Sequence, residues 1–345
     1  MAPPPPLTVA ALFVHPVKSC GGIAVDAAGL TRDGLSPWDR VWAVVKADSG
    51  RALTQRDCPA LALIATALPA EALLGGAWSE GDAGAAAALT LTSPGHPPLL
   101  IPLARRPGDP PPARTAMSVW EYAADADDEG DEAAAWVGAV VGRPARLVRY
   151  APGAVRPVAP AWTPPGAPLT AEAAFKDGFP LLVTSAASIA DLGARLGRPD
   201  LDGRRFRPNL VIGGAPAWDE DGWAELAVGG GEGGGGGDGA ATAAAAPPPI
   251  HIGLAKPCDR CTIPAVNPDS GVVDGRDITP GLRAFRTGAA LGWDGVQKTW
   301  KNAVFFGWNG AVVGGGSGAG VVGLVRVGDP VRVVRRRVGP PVPAA

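Results

Sequence analysis

The sequence is short of the residues that build disulfide scaffolds and histidine metal sites. Its 345 residues contain four cysteines, too few and too widely spread for a disulfide framework. The three histidines, His15, His96 and His251, are too scattered to indicate a histidine-based metal centre. We therefore expect the cysteines to be free, catalytic or bound to a metal in a reducing compartment.

The sequence also lacks an excess of either charge and a long apolar run. Lys and Arg number 31 against 33 Asp and Glu, whereas nucleic-acid-binding domains are usually strongly basic. The apolar stretch at residues 7–14 is too short to span a membrane, and no small-residue cleavage site follows it. We expect a monomeric cytoplasmic protein with no membrane span and no nucleic-acid partner.

The first part of the sequence has the pattern of a β-rich domain. Strands are predicted at VAALFVHPVKS, on both sides of Gly50 in RVWAVVKADSGRALTQR, and on both sides of Gly95 in LTLTSPGHPPLLIPL. A helix is predicted at DEAAAWVGAVV, capped by Asp131 and ended by Gly142, before a strand at ARLVRY. Hydrophobic residues make up 46% of the sequence, enough for a sizeable core.

The second part has strand and helix signals around one low-complexity stretch. A Pro- and Ala-rich linker at residues 151–168 is predicted to separate a domain at 1–150 from a domain at 169–338. PLLVTS predicts a strand that runs into a helix capped near Ser185, and GLVRVGDPVRVVRR predicts two strands around a turn. Residues 229–249, rich in Gly, Ala and Pro, predict a flexible insertion inside the second domain. The fold class is mixed α+β and β-rich.

The stretch AKPCDRCTIP raises the main chemical question, because Cys258 and Cys261 flank Arg260. Tetrahedral zinc needs a second such pair, and the other two cysteines lack the spacing. A redox dithiol normally opens a helix, but Pro264 follows here. A third interpretation is two buried structural cysteines, since free Cys behaves as a small hydrophobe. The charged neighbours favour a fourth, a thiolate that binds molybdenum or iron as a single cysteine ligand.

Several stretches in this order resemble MOSC-domain proteins with an N-terminal MOSC β-barrel domain. The resemblance is closest to the amidoxime-reducing components of eukaryotes and their bacterial relatives, and runs from about residue 12 to about residue 334. It rests on LFVHPVKSCGG, GLSPWDRVWAVV, TQR, GDEAAAWVG, FKDGFPLLVTSAAS, RRFRPNLVI, KPCDRCTIPAVNPDSG and VRVGDPV. It implies an N-terminal β-barrel-like domain and a MOSC-type β-barrel domain with a few helices.

The resemblance implies a molybdenum–molybdopterin cofactor at the junction of the two domains. Cys261 matches the position of the molybdenum ligand and is the implied catalytic residue, with Cys258 as its neighbour. The positions that match cofactor-binding residues are Lys18, Ser19, Arg40, Thr184, Ser185, Arg207, Asn209, Asp259, Arg260 and Asn309. Cations suit a cofactor phosphate, which Arg binds bidentately, and a helix N-terminus near Ser185 favours anions.

Other residues near these motifs are expected to serve the fold. Four tryptophans are expected to lie in the core, because large aromatic side chains dominate core packing. They are Trp38, Trp42, Trp120 and Trp136. His15 is expected to be a strand residue with no chemistry.

The resemblance also implies an activity. The implied enzyme reduces small N-hydroxylated compounds such as amidoximes, hydroxylamines and N-hydroxylated bases, with nitrite reduction to nitric oxide as a side activity. Because the sequence has no flavin, haem or cluster motif, electrons are expected from a cytochrome b5-type donor and its NADH-dependent reductase. Pyridoxal phosphate binding is a further expectation at the level of the domain class. The alternatives are a molybdenum cofactor carrier or sulfurase-type binding module, and a metal-free interaction protein.

Overall fold

The fold is mixed α+β and rich in strands. The computed structural model describes residues 5–75, 87–105, 108–151, 156, 158–167, 174–230, 247–314 and 320–343. The strands are β1 (Thr8–Val14), β2 (Ile23–Val25), β3 (Ala27–Thr31), β4 (Gly34–Leu35), β5 (Trp42–Lys46), β6 (Ala65–Ala67), β7 (Ala88–Ser93), β8 (His96–Pro102), β9 (Arg114–Val119), β10 (Tyr122–Asp128), β11 (Ala145–Arg149), β12 (Leu181–Ser185), β13 (Leu210–Gly213), β14 (Trp223–Val228), β15 (Ile250–Asp259), β16 (Phe305–Val313), β17 (Val321–Arg326) and β18 (Val331–Arg336). The α-helices are α1 (Ala70–Leu74), α2 (Asp131–Val141), α3 (Ala186–Arg195) and α4 (Ile278–Arg283).

The largest sheet joins the two ends of the sequence. It has eight strands in the order β18-β14-β15-β16-β12-β13-β1-β2. Within it β12 and β13 are parallel, and the other neighbours are antiparallel. Its apolar face carries the largest core cluster, which includes Leu12, Val183, Leu210 and Ile252. Since β1 pairs with β13 of the second predicted domain, this sheet crosses the predicted domain boundary, which stays a prediction.

Three smaller sheets complete the β structure of the described residues. Their strand orders are β5-β11-β10-β9, β17-β3-β4 and β6-β7-β8. The two strands predicted at GLVRVGDPVRVVRR both form, as β17 and β18. They do not pair with each other, because β17 pairs with β3 while β18 pairs with β14. The turn between them therefore passes the chain from one sheet to another.

The turns predicted in the first part of the sequence form at their glycines. Gly50 has φ +65°, and a Cβ there would lie 1.9 Å from the carbonyl oxygen of Ala116, so only glycine fits. The strand predicted at RALTQR is wrong, since Arg51 and Ala52 form only isolated bridges. The second pair, β7 and β8, forms an antiparallel ladder around Gly95 as predicted.

Helix α2 spans the predicted residues but begins differently. Gly130 takes the N-cap position, so Asp131 is the first helical residue and not the cap as predicted. Gly142 ends the helix in the left-handed conformation at φ +69°, as expected for a C-terminal glycine. Residues 231–246 of the predicted insertion, and parts of the predicted linker, lie outside the described residues. Among the described helices, none is long and apolar enough to cross a membrane.

Candidate functional site

The residues predicted to bind a cofactor lie largely around one pocket, called the central pocket here. It encloses about 100 Å³. Its walls come from the segment after β1, the segments before and after β5, the turn between β9 and β10, the start of β12 and the segment before it, the segment before β13, the end of β15 and the middle of β16. Nine of the residues predicted from the sequence line it, and these are Lys18, Ser19, Arg40, Arg207, Asn209, Asp259, Arg260, Cys261 and Asn309. The fold thus brings together side chains that are far apart in sequence.

The backbone around the central pocket is strained. Ser19, Arg40, Trp120 and Arg207 have φ values of +64°, +56°, +55° and +56°, a region that non-glycine residues rarely adopt. Among the described residues, seven non-glycine residues have a positive φ, and these four of them line the pocket. Each such residue costs on the order of 1 kcal/mol or more, and such strain typically persists at functional sites.

Asn209 fixes one of the pocket's arginines. Its Oδ1 accepts hydrogen bonds from Arg40 Nη1 at 3.0 Å and from the backbone N–H of Leu182 at 3.1 Å. Its Nδ2 donates at 3.2 Å to the carbonyl of Phe13 and at 3.2 Å to Asp39 Oδ1. Because the amide has two donors and two acceptor positions, protein groups use its whole capacity. Asn209 therefore acts by positioning Arg40.

Asp39 is the buried anion beneath the pocket. Its carboxylate accepts a hydrogen bond from Arg40 Nη1 at 2.7 Å and lies 3.9 Å from Lys176 Nζ. Lys176 Nζ also donates to the backbone carbonyl of Asp39 at 2.7 Å. Burial lowers the pKa of Lys176 to about 8, although the charge of Asp39 opposes the shift. Asp39 thus offsets part of the charge of two cations that the fold places beside each other.

Lys18 is held by a carboxylate at the mouth of the pocket. Its Nζ lies 2.5 Å from Asp177 Oδ1, which also accepts a 3.2 Å hydrogen bond from Trp120 Nε1. Although desolvation opposes ionisation of Asp177, the charge and hydrogen bond of Lys18 lower the pKa of this carboxyl well below its ordinary value. Desolvation lowers the pKa of Lys18, although Asp177 opposes that shift.

Two arginines of the pocket have buried N–H groups that no described residue accepts. Arg207 donates from Nη1 to the carbonyl of Cys20 at 2.5 Å, and Arg260 donates from Nη2 to the carbonyl of Phe206 at 3.1 Å. Arg207 Nη2 and Arg260 Nε are buried and have no hydrogen-bond partner among the described residues. Burial, and then the nearby charge of Arg40, lower the pKa of Arg207 to about 10. Each of these donors is suited to an anionic ligand.

The two cysteines of the AKPCDRCTIP stretch differ in their surroundings. Cys258 lies on β15, and Arg260 Nη1 is 3.1 Å from its Sγ. Burial raises the pKa of the Cys258 thiol, although the charge of Arg260 opposes the shift. Cys261 follows the strand, is half-buried, lines the pocket, and accepts a 3.3 Å hydrogen bond at its carbonyl from Thr279 Oγ1. Within the described residues no group of three or more His, Cys, Asp or Glu side chains is placed to hold a metal ion.

Thr184 and Ser185 are not brought into the lining of the central pocket. Both are fully buried on β12, whose Leu181 and Leu182 do line it. Ser185 occupies the N-cap position of α3 as predicted, but its hydroxyl makes no capping hydrogen bond. The hydroxyl oxygens of Thr184 and Ser185 have no hydrogen-bond partner among the described residues. Such buried hydroxyls are destabilising unless something else binds them.

Two further predicted residues, Asp259 and Asn309, lie on the neighbouring strands β15 and β16. Asp259 is exposed at the end of β15, where it is paired with Phe305. Asn309 is half-buried on β16 and lies opposite Leu182 of β12 and Lys256 of β15. Both line the central pocket together with Cys261.

Four residues of this region were missed as site residues in the sequence. Arg56, Trp120, Lys176 and Asp177 all line the central pocket. The signal for two of them was the charged pair before the glycine of FKDGFP, directly ahead of a buried strand. Trp120 was expected in the core and is instead 55% exposed, whereas Trp42 and Trp136 are buried as expected. The strain at Trp120 is a property of the backbone and leaves no mark in the sequence.

Comparisons with known proteins match the two parts of the chain to two described domains. Residues 6–144 match the MOSC N-terminal beta barrel domain and residues 170–332 match the MOSC domain. The chain is 28% identical to mitochondrial amidoxime reducing component 2 of Bos taurus over 94% of this chain and 82% of the relative. It is 29% identical to mitochondrial amidoxime-reducing component 1 of Mus musculus over 94% of this chain and 81% of the relative.

A third relative has the same description. The chain is 29% identical to mitochondrial amidoxime-reducing component 1 of Homo sapiens over 81% of this chain and 72% of the relative. Neither the matched domains nor the names of these relatives support the expected pyridoxal phosphate binding. The two domain matches together cover most of the sequence, in the order that the motifs predict. The chain therefore belongs to the family of MOSC-domain proteins that carry a MOSC N-terminal beta barrel domain.

Proposed function

We propose that this protein is a molybdenum cofactor-dependent oxidoreductase that reduces small N-hydroxylated compounds. The observation that carries the proposal is the half-buried thiol of Cys261 in a pocket that Arg207 and Arg260 also line. A thiolate is a suitable ligand for molybdenum, and guanidinium groups suit the phosphate of a pterin cofactor. Relatives named as amidoxime-reducing components support the class of substrate.

The residues of the pocket fit such a cofactor. Arg207 Nη2 and Arg260 Nε are buried donors without partners among the described residues, which matches the need of an anionic group. The hydroxyls of Thr184 and Ser185 are also buried and have no hydrogen-bond partner among the described residues. Both residues follow Leu181 and Leu182, the two β12 residues that line the pocket, closely in sequence. A ligand that formed hydrogen bonds with these two N–H groups and two hydroxyls would offset the free-energy cost of burying them without partners.

In this proposal Cys261 ligates the metal, and the cations hold the pterin and its phosphate. When bound, the cofactor supplies the two-electron chemistry that cleaves an N–O bond. Arg40 is kept in place by Asn209 and Asp39, so it needs no reorientation to meet an anion. Lys18 and Asp177 carry opposite charges at the mouth, where they can orient the polar N–OH end of a substrate.

Electrons reach this site from a partner. A cytochrome b5-type donor with its NADH-dependent reductase is the proposed source, and amidoximes, hydroxylamines and N-hydroxylated bases are the proposed substrates. Nitrite is a smaller anionic oxidant that the same cationic pocket would admit. Cys258 and Cys261 both line this pocket, and the proposal assigns the metal to the sulfur of Cys261 alone.

The test is a donor-coupled assay on purified protein. With cytochrome b5, its reductase and NADH, we expect NADH-dependent reduction of benzamidoxime to benzamidine. Cys261→Ser abolishes this turnover in our account, because the metal loses its protein ligand. Bound cofactor in the wild-type protein without turnover of any N-hydroxylated compound would instead favour a cofactor carrier.

A further inference from the structure

Trp120 occupies a place in the chain where local folding favours glycine. Strands β9 and β10 pair so that Val119 lies opposite Tyr122, which leaves a two-residue loop of Trp120 and Glu121. Trp120, the first loop residue, has φ +55°, and in hairpins of this length that position with positive φ is usually taken by glycine. A bulky residue there is strained, and this one is 55% exposed. Neither turn formation nor core packing therefore accounts for the indole.

The indole ring is nevertheless held in one orientation. The guanidinium carbon of Arg56 lies 4.5 Å from the ring centroid, so a cation covers one face. The Nε1–H group donates to Asp177 Oδ1 at 3.2 Å, which fixes the edge of the ring toward the mouth of the central pocket. More than half of the residue's surface stays open to solvent. An exposed aromatic ring that is fixed on one face and one edge is prepared to stack on another flat group.

The ring also stands between two cavities. Besides the central pocket, a side cavity of about 310 Å³ is lined by Trp120, Arg56, Thr54 and Lys18, and these four residues also line the central pocket. Its volume reaches the lower limit of about 300 Å³ that is typical of small-molecule sites. The charges along it are mixed, because Arg51 and Arg56 face Asp57 and Glu121 there. A neutral ring with a polar end is the ligand that this combination suits.

We infer that Trp120 and Arg56 form a stacking subsite that binds a planar aromatic or heteroaromatic ring of the substrate while its N-hydroxylated group enters the central pocket. This inference rests on the proposed function for the identity of the reacting group. The ring-binding step itself rests on the indole, its two anchors and the adjoining cavity. The subsite makes aromatic N-hydroxylated compounds better ligands than aliphatic ones of the same polarity.

The test compares binding of benzamidoxime and acetamidoxime by calorimetry to cofactor-loaded protein without an electron donor, so that no turnover occurs. In Trp120→Gly the affinity for benzamidoxime falls about 5- to 150-fold more than the affinity for acetamidoxime, the range expected for the loss of one aromatic stacking partner. Trp120→Phe retains most of the affinity for benzamidoxime. The melting temperature of Trp120→Gly stays the same or rises, because glycine adopts a positive φ without strain.

Trp218 supplies the matched control. It has φ +68° as well, but its ring packs against Phe285 and Phe306 and its Nε1–H donates to Asp191 at 2.8 Å. Trp218→Gly therefore lowers the melting temperature without changing the ratio of the two affinities. Equal weakening of both ligands in Trp120→Gly, or no weakening of either, overturns the inference.

Turnover separates this inference from the proposed function. If acetamidoxime is reduced and benzamidoxime binds no more tightly, the stacking subsite is wrong and the proposed function stands. If benzamidoxime binds through Trp120 but the loaded protein reduces neither compound, the proposed function is wrong and the ring-binding subsite stands.

Discussion

Arg40 Nη1 and Asn209 Oδ1 are joined by a 3.0 Å hydrogen bond across 169 residues of sequence. The same amide also binds Leu182, Phe13 and Asp39, so the segment before β13 is connected to β1, to the segment before β5 and to β12. A small polar side chain thus holds a strained, cationic residue at the pocket wall. The Asn209 side chain thereby keeps Arg40 oriented before any ligand binds.

Asn209→Ala is expected to destabilise the protein strongly. It removes four hydrogen bonds from a buried site, and we expect a loss of roughly 2–4 kcal/mol in the free energy of unfolding. Asn309→Ala is the matched control, because Asn309 lines the same pocket but is half-buried, and it should cost less than about 1 kcal/mol. Urea denaturation of the three proteins measures the difference. Equal losses in both variants would contradict the positioning role of Asn209.

Thr184→Val is expected to lower cofactor binding without lowering the stability of the apo-protein. The substitution removes a buried hydroxyl that has no partner among the described residues, so the apo-protein should be equally stable or gain about 1 kcal/mol. If this hydroxyl meets the cofactor, the molybdenum content of the purified variant falls at the same time. Thermal unfolding of the apo-protein and elemental analysis are the two measurements.

Ser188→Ala is the control for that experiment. Its hydroxyl is equally buried but donates to Glu220 at 2.8 Å and accepts from the backbone N–H of Trp218 at 2.7 Å. This variant should therefore lose about 1–3 kcal/mol in stability. Cofactor content per folded chain should stay at the wild-type level. A Thr184→Val protein as unstable as Ser188→Ala would show that Thr184 serves packing alone.

Lys176 should make stability depend on pH in the alkaline range. Burial lowers its pKa from 10.5 to about 8, so between these two values the unfolded chain binds a proton that the folded protein does not. Stability contributed by this residue therefore rises with pH across that window, with a limiting slope of about 1.4 kcal/mol per pH unit. In Lys176→Met this component disappears from urea midpoints measured at pH 8, 9 and 10. Identical pH profiles for the two proteins would refute the shifted pKa.

Cys258 should influence activity only through Arg260. Since Arg260 Nη1 lies 3.1 Å from its sulfur, a hydroxyl at this position can still accept that hydrogen bond. We expect Cys258→Ser to keep the donor-coupled rate with benzamidoxime within about fivefold of wild type, as for one weakened hydrogen bond. A loss as complete as that of Cys261→Ser would instead indicate a site that needs both cysteines.

The sequence predicted the elements better than their pairing. Alternating apolar residues identified β1, β7 and β8, and Gly142 marked the end of α2, because these signals are local. The pairing of β17 with β3 joins residues almost 300 positions apart and depends on how the core closes, which no local pattern encodes. The same holds for β1, whose place beside β13 carries it into the largest sheet.

The sequence predicted the cations and the cysteine of the pocket, but not every residue that contacts those cations. Lys18, Arg40, Arg207 and Arg260 stood in motifs, and the fold brings all four to one pocket with Cys261. Asp177 and Trp120 were missed, because their part in the site depends on a contact between a hairpin tip and a distant loop. Thr184 and Ser185 were singled out, and the sequence did not show that β12 buries both behind the pocket wall.

The central claim is that the sulfur of Cys261 binds a molybdenum–pterin cofactor among these cations. Elemental analysis together with pterin fluorescence, on protein expressed with molybdate, measures that claim directly. We expect close to one molybdenum and one pterin per wild-type chain, with molybdenum lost in Cys261→Ser and retained in Cys258→Ser. Wild-type protein that contains neither molybdenum nor pterin, or a Cys261→Ser variant that keeps its full molybdenum content, would contradict it.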